Sequence, residues 1–160
     1  MNKKILLICT LSFLAILLIV GSVSAKATVY KDEYSYWVDT IIDNMCPGIG
    51  DGEDVHLTGT IHSKYMTVLD GNGGFHDKLH EHSNDFRGTG LTSGDTYVGT
   101  YANSSTWNGS VGETMTVTIY LNLISKGSRD NIQIRERAHY TINANGELTV
   151  DNYKFEVVCK

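Results

Sequence analysis

From residue 33 to the end of the chain, apolar and polar residues alternate with a period of two, and helical spacing hardly appears. Such alternation puts one set of side chains on each face of an extended strand. Seven strands are predicted, separated by turns of Gly, Asn and Asp. The first covers about 34–46 and stops at Pro47-Gly48, and the second covers about 54–69. Asp70-Gly71-Asn72-Gly73-Gly74 turns the chain into a third strand of about 75–91, expected to be bulged or broken. A fourth spans about 96–102, and a looser stretch runs from Asn103 to Glu113. The last three lie near 114–125, 131–143 and 147–158. An amphipathic helix over 31–44 is the alternative for the first element, but its β-branched and aromatic content favours a strand.

The pattern also predicts pairing. Asn145-Gly146 is the preferred centre of a two-residue type I′ turn, which would pair Ala144 with Glu147. That register sets Ala138 opposite Tyr153, Ile134 opposite Val157 and Ile132 opposite Cys159 on an apolar face. Arg135 with Glu156, and His139 with Asn152, then form a polar face. In the fifth strand Met115, Val117, Ile119, Leu121 and Leu123 share one side; in the second, Val55, Leu57, Gly59 and Ile61 do so. One dry face and one wet face imply an all-β domain, a single antiparallel β-barrel or rolled β-sandwich of about seven strands. An odd number of up-and-down strands brings the ends of the first and last to one pole, where a Cys46–Cys159 disulfide would close the fold.

The N-terminus lacks this alternation. Lys3 and Lys4 precede an uncharged apolar run from Ile5 to Val20, and Val23-Ser24-Ala25 fits the small-x-small cleavage rule. The run is shorter than the roughly 20 residues a membrane span needs, so residues 1–25 are read as a cleaved signal peptide and 26–160 as a secreted domain. Depending on the host, the destination is the extracellular space, the periplasm or the cell surface. Cys9 leaves with the leader, and Cys46 and Cys159 remain as an even pair in an oxidising compartment. Loss of Lys3 and Lys4 takes the net charge from −5 to about −7. That balance argues against nucleic acid and against an anionic membrane surface as partners.

Two features carry candidate chemistry. Glu136 falls on the apolar face of the sixth strand, opposite Phe155 and near Ile119 or Leu121, which makes it the candidate catalytic acid or base. His76, His80 and His82 share one face of the third strand, and they are the candidate metal ligands, for Zn²⁺ or Cu²⁺. Their spacing matches no specific zinc motif, so no cofactor is assigned. If Asp70 pairs with Phe75, His80 lies opposite Tyr65 and His82 opposite Ser63. His80, His82, Tyr65 and Glu136 then share a polar interior, a candidate ligand-binding pocket. If Gly71 pairs with Phe75, Leu79 turns inward and the three His face solvent. A one-residue slip separates these outcomes, and a bulge would let each half of the strand adopt its own.

Other signals are weaker. Asp51-Gly52-Glu53-Asp54 and Asp70-Gly71-Asn72 offer oxygen ligands for Ca²⁺ without the EF-hand pattern, and turn propensity explains them better. Asn103-Ser104-Ser105 and Asn108-Gly109-Ser110 are glycosylation sequons. Trp107 with Tyr97, Tyr101 and Tyr120 could form a sugar-stacking platform, although core packing is the commoner use of such residues. The expectation is a non-enzymatic binding module for a small ligand, a glycan or a protein. The rival is an enzyme or metal protein working through Glu136, His80 and His82.

Overall fold

The computed structural model of the chain describes residues 26–43, 45–46 and 52–160. The leader with Cys9, the Pro47-Gly48 stop and Asp51 lie outside the described residues. Seven antiparallel strands form one sheet in sequence order: β1 (Thr28–Ile42), β2 (Val55–Leu69), β3 (Phe75–Gly90), β4 (Thr96–Gly109), β5 (Glu113–Ser125), β6 (Ile132–Ile142) and β7 (Leu148–Cys159). The described part of the 31–44 segment is strand up to Ile42, as its composition favours. Of the stretch expected to be loose, 103–113, residues 103–109 continue β4, 110–112 turn the chain and Glu113 begins β5. The Asn and Ser residues of 103–109 are carried there by full pairing with β3 and β5.

The sheet curls but does not close. Among the described residues, hydrogen-bonded pairing ends at β1 on one side and β7 on the other, so the sheet has two open edges. The curl is visible in the core, where Leu57, Phe86, Tyr97, Leu123 and Ile134 of the inner strands pack with Val38 of β1 and Val157 of β7. The Cys46–Cys159 disulfide joins the two edges at the pole where β1 and β7 end, across 113 residues of sequence. Cys46 itself is fully buried in the core.

Glycine lets the sheet bend there. The Phe86 ring lies over Gly59, where an added Cβ would stand 2.3 Å from its Cδ1, and at Gly99 an added Cβ would stand 2.8 Å from Leu123 Cδ2 and 2.9 Å from Phe86 Cβ. A strand residue with a side chain at either position would push Phe86 out of place. Beneath this layer Glu53 is buried and accepts hydrogen bonds from the Thr92 and Ser93 amides (2.9 and 2.8 Å), from Ser93 Oγ (2.5 Å) and from Tyr97 Oη (3.2 Å). Arg129 Nε stands 3.7 Å away. Burial alone would raise the Glu53 carboxyl, but these donors outweigh it and hold the group below its ordinary value. Burial, and then the same carboxylate, pushes the Tyr97 phenol up to about 12. Glu53 is therefore a structural anchor of the closed pole, with its oxygens committed inside the protein.

Two of the tight hairpins, β2–β3 and β6–β7, use one device that alternation does not reveal. Asn143 Oδ1 accepts the amides of Asn145 and Glu147 (2.9 and 3.0 Å), and the Asn143 amide donates to the Glu147 carbonyl. Asn143 thus pairs with Glu147 around a three-residue loop, with Gly146 at φ +81°, in place of the expected Ala144–Glu147 pair. An extra residue, Thr149, then restores the predicted register from Thr141 onward: Ala138 faces Tyr153, Ile134 faces Val157 and Ile132 faces Cys159. Asp70 does the same work at the β2–β3 turn, accepting the Asn72 and Gly74 amides at 2.8 Å each. Those amides hold its carboxyl below the usual range, and they explain this turn without a calcium ion.

The third strand is bulged at Asn84–Asp85. Asp85 Oδ1 fixes the bulge by accepting from Ser83 Oγ (2.8 Å) and the Thr60 amide (3.1 Å). Below the bulge Val55 pairs with Gly90, the register in which Asp70 would reach Phe75. Above it Leu69 pairs with Phe75, one step away, and the faces of β3 exchange.

Candidate functional site

Above the bulge, the inner face carries Phe75, Asp77, Leu79, Glu81 and Ser83 of β3, while His76, His80 and His82 point outward. The expected pocket of His80, His82, Tyr65 and Glu136 is therefore not assembled. Tyr65 pairs with Leu79 and lies on the inner face with Glu136, and the two His are on the opposite side of the sheet. Glu136 is half-buried between Ile119 and Phe155, as its register predicts, but no imidazole accompanies it. Nor do the three His form a coordination set. His76 and His82 are six residues apart on an extended strand, about 20 Å. His76 Nδ1 is taken by Asn108 Oδ1 at 2.8 Å. Among the described residues no group of three or more His, Cys, Asp or Glu is placed to hold a metal ion.

What the bulge turns inward instead is acidic and aromatic. Asp77, Glu81, Glu113 and Glu136 lie on the inner face, with Asp32 and Asp151 on its edge strands. Every Lys, Arg and His of the seven strands lies on the outer face, from Lys31 in β1 to Lys154 in β7. The inner face opens toward the pole opposite the disulfide, where Tyr65, Trp107 and Tyr153 are exposed, with Tyr34 and Phe155 exposed nearer mid-strand. Exposed aromatics on this scale are unusual for the inside of a rolled sheet, because nothing in the fold covers them.

Two carboxylates there differ in their surroundings. Glu81 is satisfied: Tyr36 Oη (3.1 Å) donates to Oε1, and Tyr101 Oη (3.3 Å) and Asn103 Nδ2 (3.0 Å) donate to Oε2. Burial, and then the Glu81 charge, raises both tyrosine hydroxyls, so each stays a donor at neutral pH. Asn103 is thus tied to Glu81 within the fold. Asp77 is not satisfied. Its Oδ1 is shielded from solvent and has no hydrogen-bond partner. It lines a cleft of about 200 Å³ whose other walls include Tyr65, Leu79, Ser105, Trp107 and Met115. Trp107 is held edge-on to Phe75, with ring centroids 5.3 Å apart, and its Nε1 donates to Glu113 Oε2 (3.2 Å).

The proposed sugar platform does not form, since Tyr97 is in the core, Tyr101 is tied to Glu81, and Tyr120 faces outward to Arg137. Asp77 and Glu81 alternate with the His residues along the chain, and alternation alone does not show which set turns inward. Comparison of the chain with family models, with curated proteins and with solved structures returns no match, so the site is read on its own chemistry.

Proposed function

We propose that this is an exported binding protein whose open inner face takes a small organic cation with an apolar body. The observation that carries the reading is the segregation of charge: six strand acids and most of the aromatics lie inside, and every strand cation lies outside, where Glu33, Asp39 and Glu156 partner that face. A buried carboxylate oxygen without a partner costs about 1–3 kcal/mol, and an ammonium or amidinium donor would remove that cost. Tyr65 and Trp107 beside Asp77 supply π faces, which attract a cation by about 0.5–2 kcal/mol according to its desolvation. Leu79 and Met115 receive the apolar body. A glycan offers neither the charge nor the alkyl surface that this cleft matches. The half-rolled sheet, stapled at one pole, acts as a barrel with its mouth at the other.

The test compares 2-phenylethylamine with its neutral analogue 2-phenylethanol, using Trp107 fluorescence in a Trp37→Phe background. The amine is expected to bind at least tenfold more tightly, with Asp77→Asn abolishing that preference and added salt weakening it. Equal affinity for the two compounds, or an Asp77→Asn variant that keeps the preference, refutes the reading.

A further inference from the structure

The outer face holds a second arrangement, independent of the cleft. His62 of β2 and His82 of β3 are paired directly across the two strands, both exposed, with ring centroids 5.3 Å apart and planes inclined by 36°. Two imidazoles on one tetrahedral ion, with metal–nitrogen distances of about 2.0–2.1 Å, have centroids about 5 Å apart. The pair already stands at chelating separation. Its geometry comes from the bulge at Asn84–Asp85, which sets the register above it and so brings His82 opposite His62.

The orientation of one ring is also fixed. Ser35 Oγ lies 2.8 Å from His62 Nδ1, leaving Nε2 as the nitrogen available for a ligand bond. Metal at Nε2 selects the tautomer in which Nδ1–H donates to Ser35, the outer hydrogen bond that metal-bound histidines ordinarily make. The nearby cation, Lys64, is paired with Glu33 at 3.2 Å, so its charge is partly compensated. Glu33, Ser35, His62, Lys64 and His82 surround one shallow depression of about 390 Å³, with room for the waters that complete coordination.

We propose that His62 and His82 form a two-imidazole chelate for a borderline divalent cation, Zn²⁺ in the first instance, with solvent in the remaining positions. The experiment is calorimetric titration of ZnCl₂ into the untagged protein, with histidine ¹⁵N spectra recorded on the same samples. One ion per chain is expected. His62→Ala and His82→Ala should each weaken it at least tenfold, Ser35→Ala by about tenfold, and His80→Ala not at all. The nitrogen that shifts on His62 should be Nε2. All of these positions are exposed, and circular dichroism of each variant separates lost binding from lost fold. Absence of one-site binding at submillimolar Zn²⁺, affinity unchanged in His62→Ala and His82→Ala, or loss of binding in His80→Ala overturns the proposal.

Discussion

Replacing Glu53 should destabilise the closed pole in a way that depends on pH. Its side chain is 2% exposed, and its two oxygens accept two backbone amides and two hydroxyls beside Arg129. In Glu53→Gln the remaining carbonyl oxygen can keep the Thr92 and Ser93 amides, while the new amide donates to the Ser93 and Tyr97 hydroxyls. What is lost is the charge-assisted part, about 1.5–3 kcal/mol. Glu53→Ala strips every acceptor and leaves Arg129 without this carboxylate, at about 3–5 kcal/mol. The carboxyl is held below its ordinary value of 4.5 in the folded state, so the unfolded chain takes up protons first as pH falls. Its contribution is complete above that value and disappears as pH falls through the folded titration.

The assay is urea unfolding of wild type and Glu53→Gln from pH 7 to pH 3, followed by circular dichroism. The gap between them should be widest at pH 7 and narrow toward pH 3, where a protonated glutamic acid resembles the amide. A gap that is constant with pH, or below about 0.5 kcal/mol at pH 7, would show that the buried hydrogen bonds do not act through the charge.

Opening the disulfide in a Cys46→Ser/Cys159→Ser chain should lower stability by up to about 4–5 kcal/mol, since the loop it closes spans 113 residues; an unchanged urea midpoint would refute this. Gly99→Ala puts a methyl 2.8 Å from Leu123 Cδ2 and 2.9 Å from Phe86 Cβ, and should cost about 1–3 kcal/mol in the same assay. Asp77→Leu should do the opposite, raising stability by about 1 kcal/mol by removing a carboxylate oxygen that has no partner, while losing the amine preference. A destabilised Asp77→Leu would mean that Asp77 is satisfied in solution.

The strand pattern was legible because each strand keeps one face dry, and the β6–β7 register was legible because turn chemistry and alternation agreed. The turn itself was misread, since an Asn or Asp three residues before the glycine, Asn143 or Asp70, recruits the backbone amides and lengthens the loop. Glu136 was placed correctly against Ile119 and Phe155. The surroundings of the His residues were not legible, because they depend on where an extra residue enters β3. Asn84 and Asp85 show no sign of that in sequence; it appears only when the Asp85 carboxylate meets the Thr60 amide of the neighbouring strand. Trp107 could be recognised as an aromatic near the end of a strand, but its cleft depends on pairings with β3 and β5 that local sequence does not record.

The bulge at Asn84–Asp85 works as a phase shifter between two halves of one strand, and the chain therefore encodes two alternative linings. With the extra residue present, the cavity is lined by Asp77, Leu79 and Glu81. With the same residues but the bulge lost, the need to keep Phe86 buried would carry the lower register up to the turn, and His76, His80 and His82 would take those places. A substitution that releases the bulge, such as loss of the Asp85 carboxylate that anchors it, would then exchange a cation-seeking interior for an imidazole one without altering any residue of the core. New ligand chemistry in such a fold can arise by moving a bulge before changing the residues that line the cavity.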